Sequence, residues 1–416
     1  MNIIELAKNK AWCPDPWSEL SSDTGSHYKL CCWSYHLPYS IHSVSPLEHW
    51  NSPEMKEVRK AMIAGDRDSL RKYCEACHIQ ENAGADSRRL RRLRELEYDP
   101  QYFDTITESI AKTIELGDGS APAHYFHRVD LRIAGNLCNL RCVMCSPTSS
   151  SSIAEEMKRL GKLPNDTRTL TLPILDMATD QREQFWRDLE EILPRTRCLY
   201  FAGGEPFLSE AHYQVLDLAI RQGLNERIRL WYSTNLTTIN TTTGRGVIDY
   251  LKQFKEVDLS VSVDNLYKKN DYIRYGSRFQ KFIDNIQTVA QLCPHVRMEP
   301  STCVSMLNIL DLTEIHFFFM KMIGQHSFVN LLTSPWSLRA TYLPPNLKKL
   351  ALQRLTQHPD IFQSPIQWLK SPVEAAEQAR GFAAFIQYIE SLDKARGTKF
   401  IETFPEFAPY MIEPYT

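Results

Sequence analysis

From residue 129 to about residue 344, short apolar segments alternate with longer amphipathic segments. The short segments are apolar or β-branched, which predicts strands at 129–134, 197–202, 227–233, 257–263, 296–304 and 327–333. The segments between them predict helices at 150–161, 179–193, 209–223, 243–255, 278–292 and 311–323. Six strand–helix repeats favour a parallel sheet with right-handed crossovers. Because the region spans only about 215 residues, too few for an eightfold barrel, the pattern predicts an α/β fold with an open (β/α)6 partial barrel.

Two further segments flank the predicted barrel. The segment before it is rich in cysteine, and the tail from Pro344 onward predicts two helices followed by an aromatic-rich end. We therefore expect three domains: a Cys-rich domain at 1–125, the partial barrel at 126–344 and a C-terminal helical extension at 345–416.

Three cysteines follow the first predicted strand, in the segment LRIAGNLCNLRCVMCSP. Cys138, Cys142 and Cys145 have a C-x3-C-x2-C spacing, so their thiolates can converge on one metal centre. Three thiolates do not complete a site that takes four protein ligands. Two interpretations remain open. One is a zinc site completed by His124, His127 or a distant cysteine, and the other is a [4Fe–4S] cluster whose fourth iron binds a substrate or cofactor. The serine run Ser149–Ser152 is expected to cap the next helix.

The overall composition restricts the class of protein. The 416 residues are 43% hydrophobic, which is enough for a large core, and the formal net charge of −2 gives no general attraction to nucleic acid or anionic membranes. The first ten residues lack a signal-peptide pattern, and the apolar run 315–323 is too short to span a bilayer. Eleven cysteines without an export signal predict a cytoplasmic protein with reduced thiols.

The cysteine spacing resembles the cluster motif of the radical S-adenosylmethionine (radical SAM) enzymes, and later segments resemble further motifs of that family in the same order. LYFAGGEPF is similar to the segment that meets the methionine amino group of S-adenosylmethionine. Glycine allows close backbone approach, and a carboxylate suits an ammonium partner. LWYSTNL and LSVSVDNL are similar to strand ends that contact the cofactor. By resemblance, the cofactor-binding residues are Met144, Gly203, Gly204, Glu205, Ser233, Asn235, Ser262, Asp264 and Arg274.

The sequence departs from the family pattern at three of these places. Met144 stands where an aromatic residue often precedes the third cysteine, and it can still pack on the adenine. Leu236 follows Asn235 and Asn265 follows Asp264, where the family usually has glycine.

A second set of cysteines precedes the barrel: Cys13, Cys31, Cys32, Cys74 and Cys77. Their arrangement resembles the twitch domain, a shortened SPASM domain that holds an auxiliary iron–sulfur cluster. The resemblance implies Cys13, Cys31, Cys74 and Cys77 as ligands of a second [4Fe–4S] cluster. Because the spacing from Gly25 to Cys31 is one residue longer than usual, Cys32 is an alternative to Cys31. A structural zinc ribbon also remains open, since four thiolates suit zinc equally well.

The resemblance implies an oxidoreductase that reductively cleaves S-adenosylmethionine to a 5′-deoxyadenosyl radical and takes a hydrogen atom from a peptide or small-molecule substrate. It also implies a flavodoxin-type electron donor; no catalytic residue is identified. Cys303 is either a hydrogen-atom donor or an apolar strand residue. The alternative function is a metal-stabilised, non-catalytic protein that binds peptide or RNA through Arg88–Arg94, although nucleic acid is the less favoured partner. The simplest expectation for Arg88–Arg94 is an amphipathic helix with a solvated basic face.

Overall fold

The computed structural model describes residues 6, 8–82, 86–165, 167–240, 244 and 246–411. Its strands are β1 (Glu19–Ser22), β2 (His27–Lys29), β3 (His36–Ser40), β4 (Arg128–Asp130), β5 (Cys198–Phe201), β6 (Arg229–Thr234), β7 (Glu256–Ser262), β8 (Arg297–Val304) and β9 (Phe328–Leu331). Strands β4 to β9 correspond to the six strands predicted from the sequence. β4 ends four residues early because the chain turns there: the Gly135 amide donates to the Arg132 carbonyl at 2.8 Å.

The α-helices alternate with the later strands. They are α1 (Pro46–Trp50), α2 (Pro53–Ala64), α3 (Arg67–Asn82), α4 (Arg88–Tyr98), α5 (Pro100–Leu116), α6 (Ser151–Arg159), α7 (Thr179–Ile192), α8 (Glu210–Arg221), α9 (Val247–Leu251), α10 (Tyr267–Ile273), α11 (Phe279–Leu292), α12 (Leu312–Ile323), α13 (Pro345–Leu355), α14 (Pro359–Lys370), α15 (Ala375–Arg396), α16 (Phe400–Thr403) and α17 (Ala408–Met411). No helix in the described part of the chain is long and apolar enough to cross a membrane.

The predicted helices are present with small changes of boundary. The helix expected at 243–255 is the shorter α9; residues 243 and 245 of that prediction lie outside the described residues. The sequence pattern missed α10, a short helix after β7. The tail contains three long helices, α13 to α15, rather than the two that were expected.

The chain divides into two compact units, and neither is a single continuous segment. The first unit contains 1–137, 170–232 and 241–257; the second contains 138–169, 233–240 and 258–416. The expected boundaries near 125 and 344 therefore do not coincide with these units and stay predictions.

The first unit contains a mixed sheet with the strand order β3-β2-β1-β4-β5-β6. β1 pairs antiparallel with β2 and parallel with β4, which brings the cysteine-rich N-terminal segment into the same sheet as β4 to β6. Alternate residues of β6 are buried, all of β5 except Tyr200 is buried, and one face of the sheet packs on α8. On that face the ring of His212 lies 4.7 Å from Phe201, edge to face. Burial of these aromatic faces supplies the core of this unit.

The second unit contains the parallel strands β7, β8 and β9. β7 and β8 alternate buried and less buried residues, as expected for strands with helices on one side. Each predicted motif directly follows a strand: the cysteine loop follows β4, GGEP follows β5, Asn235 follows β6 and Asp264 follows β7. In parallel sheets this is the end of the strand at which ligands bind.

Candidate functional site

The three cysteines of the C-x3-C-x2-C motif lie in the second unit, on the loop between β4 and α6. The loop is tightly folded, since the Cys145 amide donates to the Cys142 carbonyl at 3.1 Å. Cys142 is buried, and Cys138 and Cys145 are half-buried. Burial, followed by the neighbouring Cys142 and Cys138, raises the pKa of the Cys145 thiol to about 12.

The serine run after the loop anchors it to α6. The Ser150 hydroxyl accepts from the Ile153 amide at 3.3 Å and donates to the Leu140 carbonyl at 2.6 Å. The Ser152 hydroxyl donates to the Cys138 carbonyl at 2.7 Å. Ser150 is thus the N-cap of α6, which confirms the expected capping role of this run. The same hydroxyls also hold the backbone of the cysteine loop.

A second set of contacts holds the loop from α10 and α15. The Val143 amide donates to the Ile273 carbonyl at 2.7 Å, and the Tyr388 hydroxyl donates to the Val143 carbonyl at 2.7 Å. The buried carboxylate of Glu156 binds Arg396 at 2.9 Å and Arg141 at 3.2 Å. Tyr388 and Arg396 were not predicted to hold the cysteine loop, because a tyrosine and an arginine in a C-terminal helix carry no local sequence signal for that role.

Two of the predicted cofactor residues, Asn235 and Met144, lie at the cysteine loop in the second unit. The Asn235 amide nitrogen lies 3.8 Å from the Cys138 sulfur and donates to the Asn139 side-chain oxygen at 3.0 Å. Met144 is half-buried within the loop itself. Ser233, also predicted, is half-buried near the end of β6.

Asp264 and Arg274 form a buried ion pair at 2.7 Å. The other carboxylate oxygen of Asp264 accepts from the Cys303 amide at 2.8 Å, so Asp264 also holds β8. Burial alone would lower the pKa of Arg274, but Cys142 and Asp264 raise it on balance. Ser262 is half-buried at the end of β7, opposite Ser301 in the register.

Cys303, the candidate hydrogen-atom donor, lies half-buried on β8. Burial raises the pKa of its thiol to about 12, and Asp264 acts in the same direction, so the thiol is protonated at neutral pH.

The GGEP segment lies in the first unit, directly against residues 135–137. The Gly204 amide donates to the Gly135 carbonyl at 2.8 Å, and the Glu205 amide donates to the Leu137 carbonyl at 2.6 Å. A side chain at Gly204 would overlap the backbone of Leu137, and Gly203 has a φ of +122°. Glu205 is 1% exposed, and its carboxylate accepts from the Phe207 amide at 3.2 Å. Both glycines are therefore required by the backbone, and Glu205 is held beside Leu137, the residue before Cys138.

Four of the five cysteines of the N-terminal segment line one cavity in the first unit. It is lined by Cys13, Cys31, Cys74 and Cys77, together with Asp15 and Arg88. Cys74 and Cys77 reach it from the same face of α3, three residues apart, while Cys31 follows β2. Burial raises the pKa of Cys74 to about 12, with Cys77 as the next contributor. Four thiols that line one cavity are, by residue type, the donor set of a four-thiolate centre, although no three of them are arranged to hold a single metal ion.

Cys32, the alternative ligand, does not line this cavity. After burial, the groups that most affect the pKa of its thiol are Arg88, which lowers it, and Glu19, which raises it. Among the described residues, no three His, Cys, Asp or Glu side chains are arranged to hold a single metal ion.

The arginine-rich helix α4 differs from the expectation of a solvated basic face. Arg88, Arg89 and Arg92 are buried. Arg92 binds Asp15 at 2.7 Å, and Arg89 binds Glu81 at 2.7 Å. The more exposed Arg91 and Arg94 both pair with Asp86, at 3.5 and 2.8 Å. The expectation was wrong because buried carboxylates from other segments, which local sequence does not reveal, turn these arginines inward. They do not provide the phosphate- or peptide-binding surface of the alternative function.

Comparison with known proteins links part of the chain to one family. Residues 133–317 match the family model described as the radical SAM superfamily. A search of curated proteins found no match.

The solved structures with some similarity include anSMEcpe with bound AdoMet, at 17% identity and a TM-score of 0.39, covering 56% of this chain and 58% of that chain. SuiB from Streptococcus suis bound to S-adenosylmethionine has 15% identity and a TM-score of 0.38, with coverage of 74% and 63%. TYW1 with a lysine-pyruvate adduct has 10% identity and a TM-score of 0.29, with coverage of 53% and 70%. The chain spans less than two thirds of the first two structures, and these weak likenesses show no shared function. The segment that matches the radical SAM family model, residues 133–317, contains the cysteine loop, GGEP, Asn235 and Asp264.

Proposed function

We propose that this protein is a radical SAM oxidoreductase. Cys138, Cys142 and Cys145 would hold a [4Fe–4S] cluster, and the fourth iron would bind S-adenosylmethionine. When bound, the cluster and S-adenosylmethionine supply a 5′-deoxyadenosyl radical that takes a hydrogen atom from the substrate. The family match at 133–317 supports this chemistry.

The observation that carries the proposal is the hydrogen-bonded contact of GGEP with residues 135–137. It holds the Glu205 backbone at the Leu137 carbonyl, directly before the first cysteine of the motif. The carboxylate of Glu205 accepts from the Phe207 amide, which orients it. An ammonium group of S-adenosylmethionine would be a further, charged partner for this carboxylate.

The other predicted cofactor residues have roles that agree with their local contacts. Asn235 supports the loop beside Cys138 and presents an amide near the cluster edge. Arg274, paired with Asp264, is a fixed cation for a cofactor carboxylate. Gly203 and Gly204 allow backbone approach. Met144 would pack on the adenine, and Ser233 and Ser262 would donate hydrogen bonds at the ends of β6 and β7.

We further propose an auxiliary [4Fe–4S] cluster at Cys13, Cys31, Cys74 and Cys77, as part of a twitch-like N-terminal domain. The shared cavity supports this ligand set, with Cys31 rather than Cys32. With four protein thiolates the cluster would have no open iron, so it would transfer electrons rather than bind substrate. A flavodoxin-type protein would be the electron donor and a peptide or small molecule the substrate. We propose the cytoplasm as its location, because iron–sulfur clusters held by thiolates need a reducing compartment.

Anaerobic reconstitution tests the enzyme. The wild type should bind about eight irons per chain and form 5′-deoxyadenosine from S-adenosylmethionine under reductant. Cys142→Ala should abolish this cleavage, whereas Cys74→Ala should retain some uncoupled cleavage. One or two zinc ions per chain and no 5′-deoxyadenosine would refute the proposal.

The neighbouring cysteines Cys31 and Cys32 provide a matched pair for the auxiliary site. Cys31→Ala should lower the iron content from about eight to about four per chain or leave an unstable cluster, because one of four ligands is lost. Cys32→Ala should keep about eight. Iron analysis and electron paramagnetic resonance of the reduced protein measure the cluster content of both variants. Loss of iron in Cys32→Ala but not in Cys31→Ala would assign the ligand to Cys32.

A further inference from the structure

The sheet of the first unit has a second face, opposite the one that packs on α8. It carries Glu19 on β1, Arg128 on β4, Tyr200 on β5 and Trp231 on β6. Glu19 is the register partner of Arg128, and Tyr200 that of Trp231. The Arg128 guanidinium lies over the Trp231 ring at 4.6 Å and the Tyr200 ring at 5.4 Å. Both aromatic residues are only half-buried, so this face is partly open.

Arg128 is a buried cation without a carboxylate partner. Its side chain is 7% exposed, and its Nε is buried without a hydrogen-bond partner. Within the described residues, no carboxylate oxygen lies within 4.0 Å of its guanidinium.

The acidic groups around Arg128 form their closest ion pairs with other arginines. Asp15 binds both Arg88 and Arg92, at 3.0 and 2.7 Å. Glu19 binds Arg88 through one oxygen while its other oxygen, Oε1, is buried without a hydrogen-bond partner, and Asp130 pairs with Arg132 at 2.9 Å. On the neighbouring strand the hydroxyl of Ser21, a residue with no exposed surface, is also without a partner.

A buried arginine usually has a charged partner, and Arg128 has no carboxylate partner among the described residues. A buried charge is costly unless it is paired, and stacking on an aromatic ring offsets only part of that cost. Stacking uses the face of the guanidinium and leaves its N–H donors, which lie in the plane, available. That planar fork matches the two oxygens of a carboxylate. The half-buried Tyr200 and Trp231 beside it would flank the group that carries the carboxylate.

We infer that Arg128 is a substrate-binding residue that takes a carboxylate of the substrate, with Tyr200 and Trp231 on either side. That the carboxylate belongs to a substrate rests on the proposed function. That Arg128 binds a carboxylate requires neither cluster nor radical. It narrows the substrate class to molecules with a carboxylate, such as a peptide with an acidic side chain or a small dicarboxylate.

Isothermal titration of the anaerobically reconstituted protein tests this. The probes are the capped tripeptides acetyl-Gly-Glu-Gly-amide and acetyl-Gly-Gln-Gly-amide, with glutarate as the small-molecule arm. The wild type should prefer the Glu peptide or glutarate over the Gln peptide. Arg128→Gln should weaken binding of the acidic probe about tenfold or more, since a charge-assisted hydrogen bond is lost. Arg128→Lys should restore part of that loss, because it keeps the charge without the fork.

Arg187→Gln is the control, because Arg187 is 59% exposed and its ion pair with Glu183 is long, at 3.8 Å. It should bind all probes like the wild type, and circular dichroism should show that each variant is folded. Equal binding of the Glu and Gln peptides without preference for glutarate would overturn the inference, as would a folded Arg128→Gln that binds like the wild type. Formation of 5′-deoxyadenosine without substrate is measured on the same samples. If it is absent while the acidic preference persists, the proposed function fails and the assignment of Arg128 stands.

Discussion

Gly204→Ala should destabilise the first unit because there is no room for a methyl group between GGEP and residues 135–137. The added Cβ would lie 2.6 Å from the carbonyl carbon of Leu137 and 2.8 Å from that of Asn136. Ordinary contact begins at 3.4 Å, so the two backbone segments would have to separate by about 0.8 Å or more. Both obstacles are backbone atoms, which cannot rotate away as a side chain can.

The expected loss in the free energy of unfolding follows from the packing and the hydrogen bonds that the separation disrupts. Overpacking of this kind costs roughly 1–3 kcal/mol. The hydrogen bonds from the Gly204 and Glu205 amides would lengthen, at a cost of up to about 1 kcal/mol each. The free energy of unfolding should therefore fall by roughly 2–4 kcal/mol. Urea denaturation followed by circular dichroism measures the loss, and hydrogen exchange of residues 198–208 should show that the opening is local.

Gly25→Ala is the matched control, since its Cβ would meet only side-chain atoms of Asp23 and His27, at 3.2 and 3.3 Å. Those side chains can move, so the change should cost less than about 0.5 kcal/mol. If Gly204→Ala is as stable as Gly25→Ala and keeps its amide protection, the steric reasoning is refuted.

Two other changes test the electrostatics. Arg396→Met should lower the free energy of unfolding by roughly 3–5 kcal/mol, because it removes one partner of the buried Glu156 carboxylate. Arg187→Met removes one partner of an exposed pair and should cost less than about 1 kcal/mol by the same urea measurement. Equal losses in the two variants would contradict the burial argument. Burial lowers the pKa of His49 to about 3, with Arg59 acting in the same direction, so the folded protein keeps this ring neutral while the unfolded chain protonates below its usual pKa of 6.5. Stability should therefore fall as the pH falls from about 6.5 towards 3, by up to about 1.4 kcal/mol per pH unit from this residue. His49→Phe should reduce that slope between pH 6 and 5, and an unchanged slope would show that His49 does not titrate in this way.

Much of the α/β region was predictable because its signals are local. Strands β5 to β9 lie in segments rich in apolar or β-branched residues, and the glycines and cysteines of each motif are close together in sequence. The glycines of GGEP signalled close backbone approach, and the structure identifies the approaching backbone as residues 135–137. The turn that ends β4 at Asp130 was missed, because it depends on contacts of Gly135 rather than on strand propensity.

The arginines of α4 show the limit of local patterns. Their spacing predicted a basic surface, but Asp15 and Glu81 lie 77 and 8 residues from their partners Arg92 and Arg89. Whether an arginine faces solvent or a buried carboxylate depends on these distant partners. The same applies to Tyr388, whose hydroxyl reaches a carbonyl 245 residues away.

The sequence by itself determined the chemistry that is available: three cysteines on one loop, a second set before the barrel, and GGEP after a strand. Residue type and spacing along the chain are enough to specify these ligand sets. Only the tertiary structure decided that Cys31 rather than Cys32 lines the cavity with Cys13, Cys74 and Cys77. It also decided that Arg88 and Arg132 have carboxylate partners, whereas Arg128 has none within 4.0 Å among the described residues. Adjacent cysteines can point in different directions, and ion pairs form between distant segments, so burial and pairing are set by the packing of the whole unit.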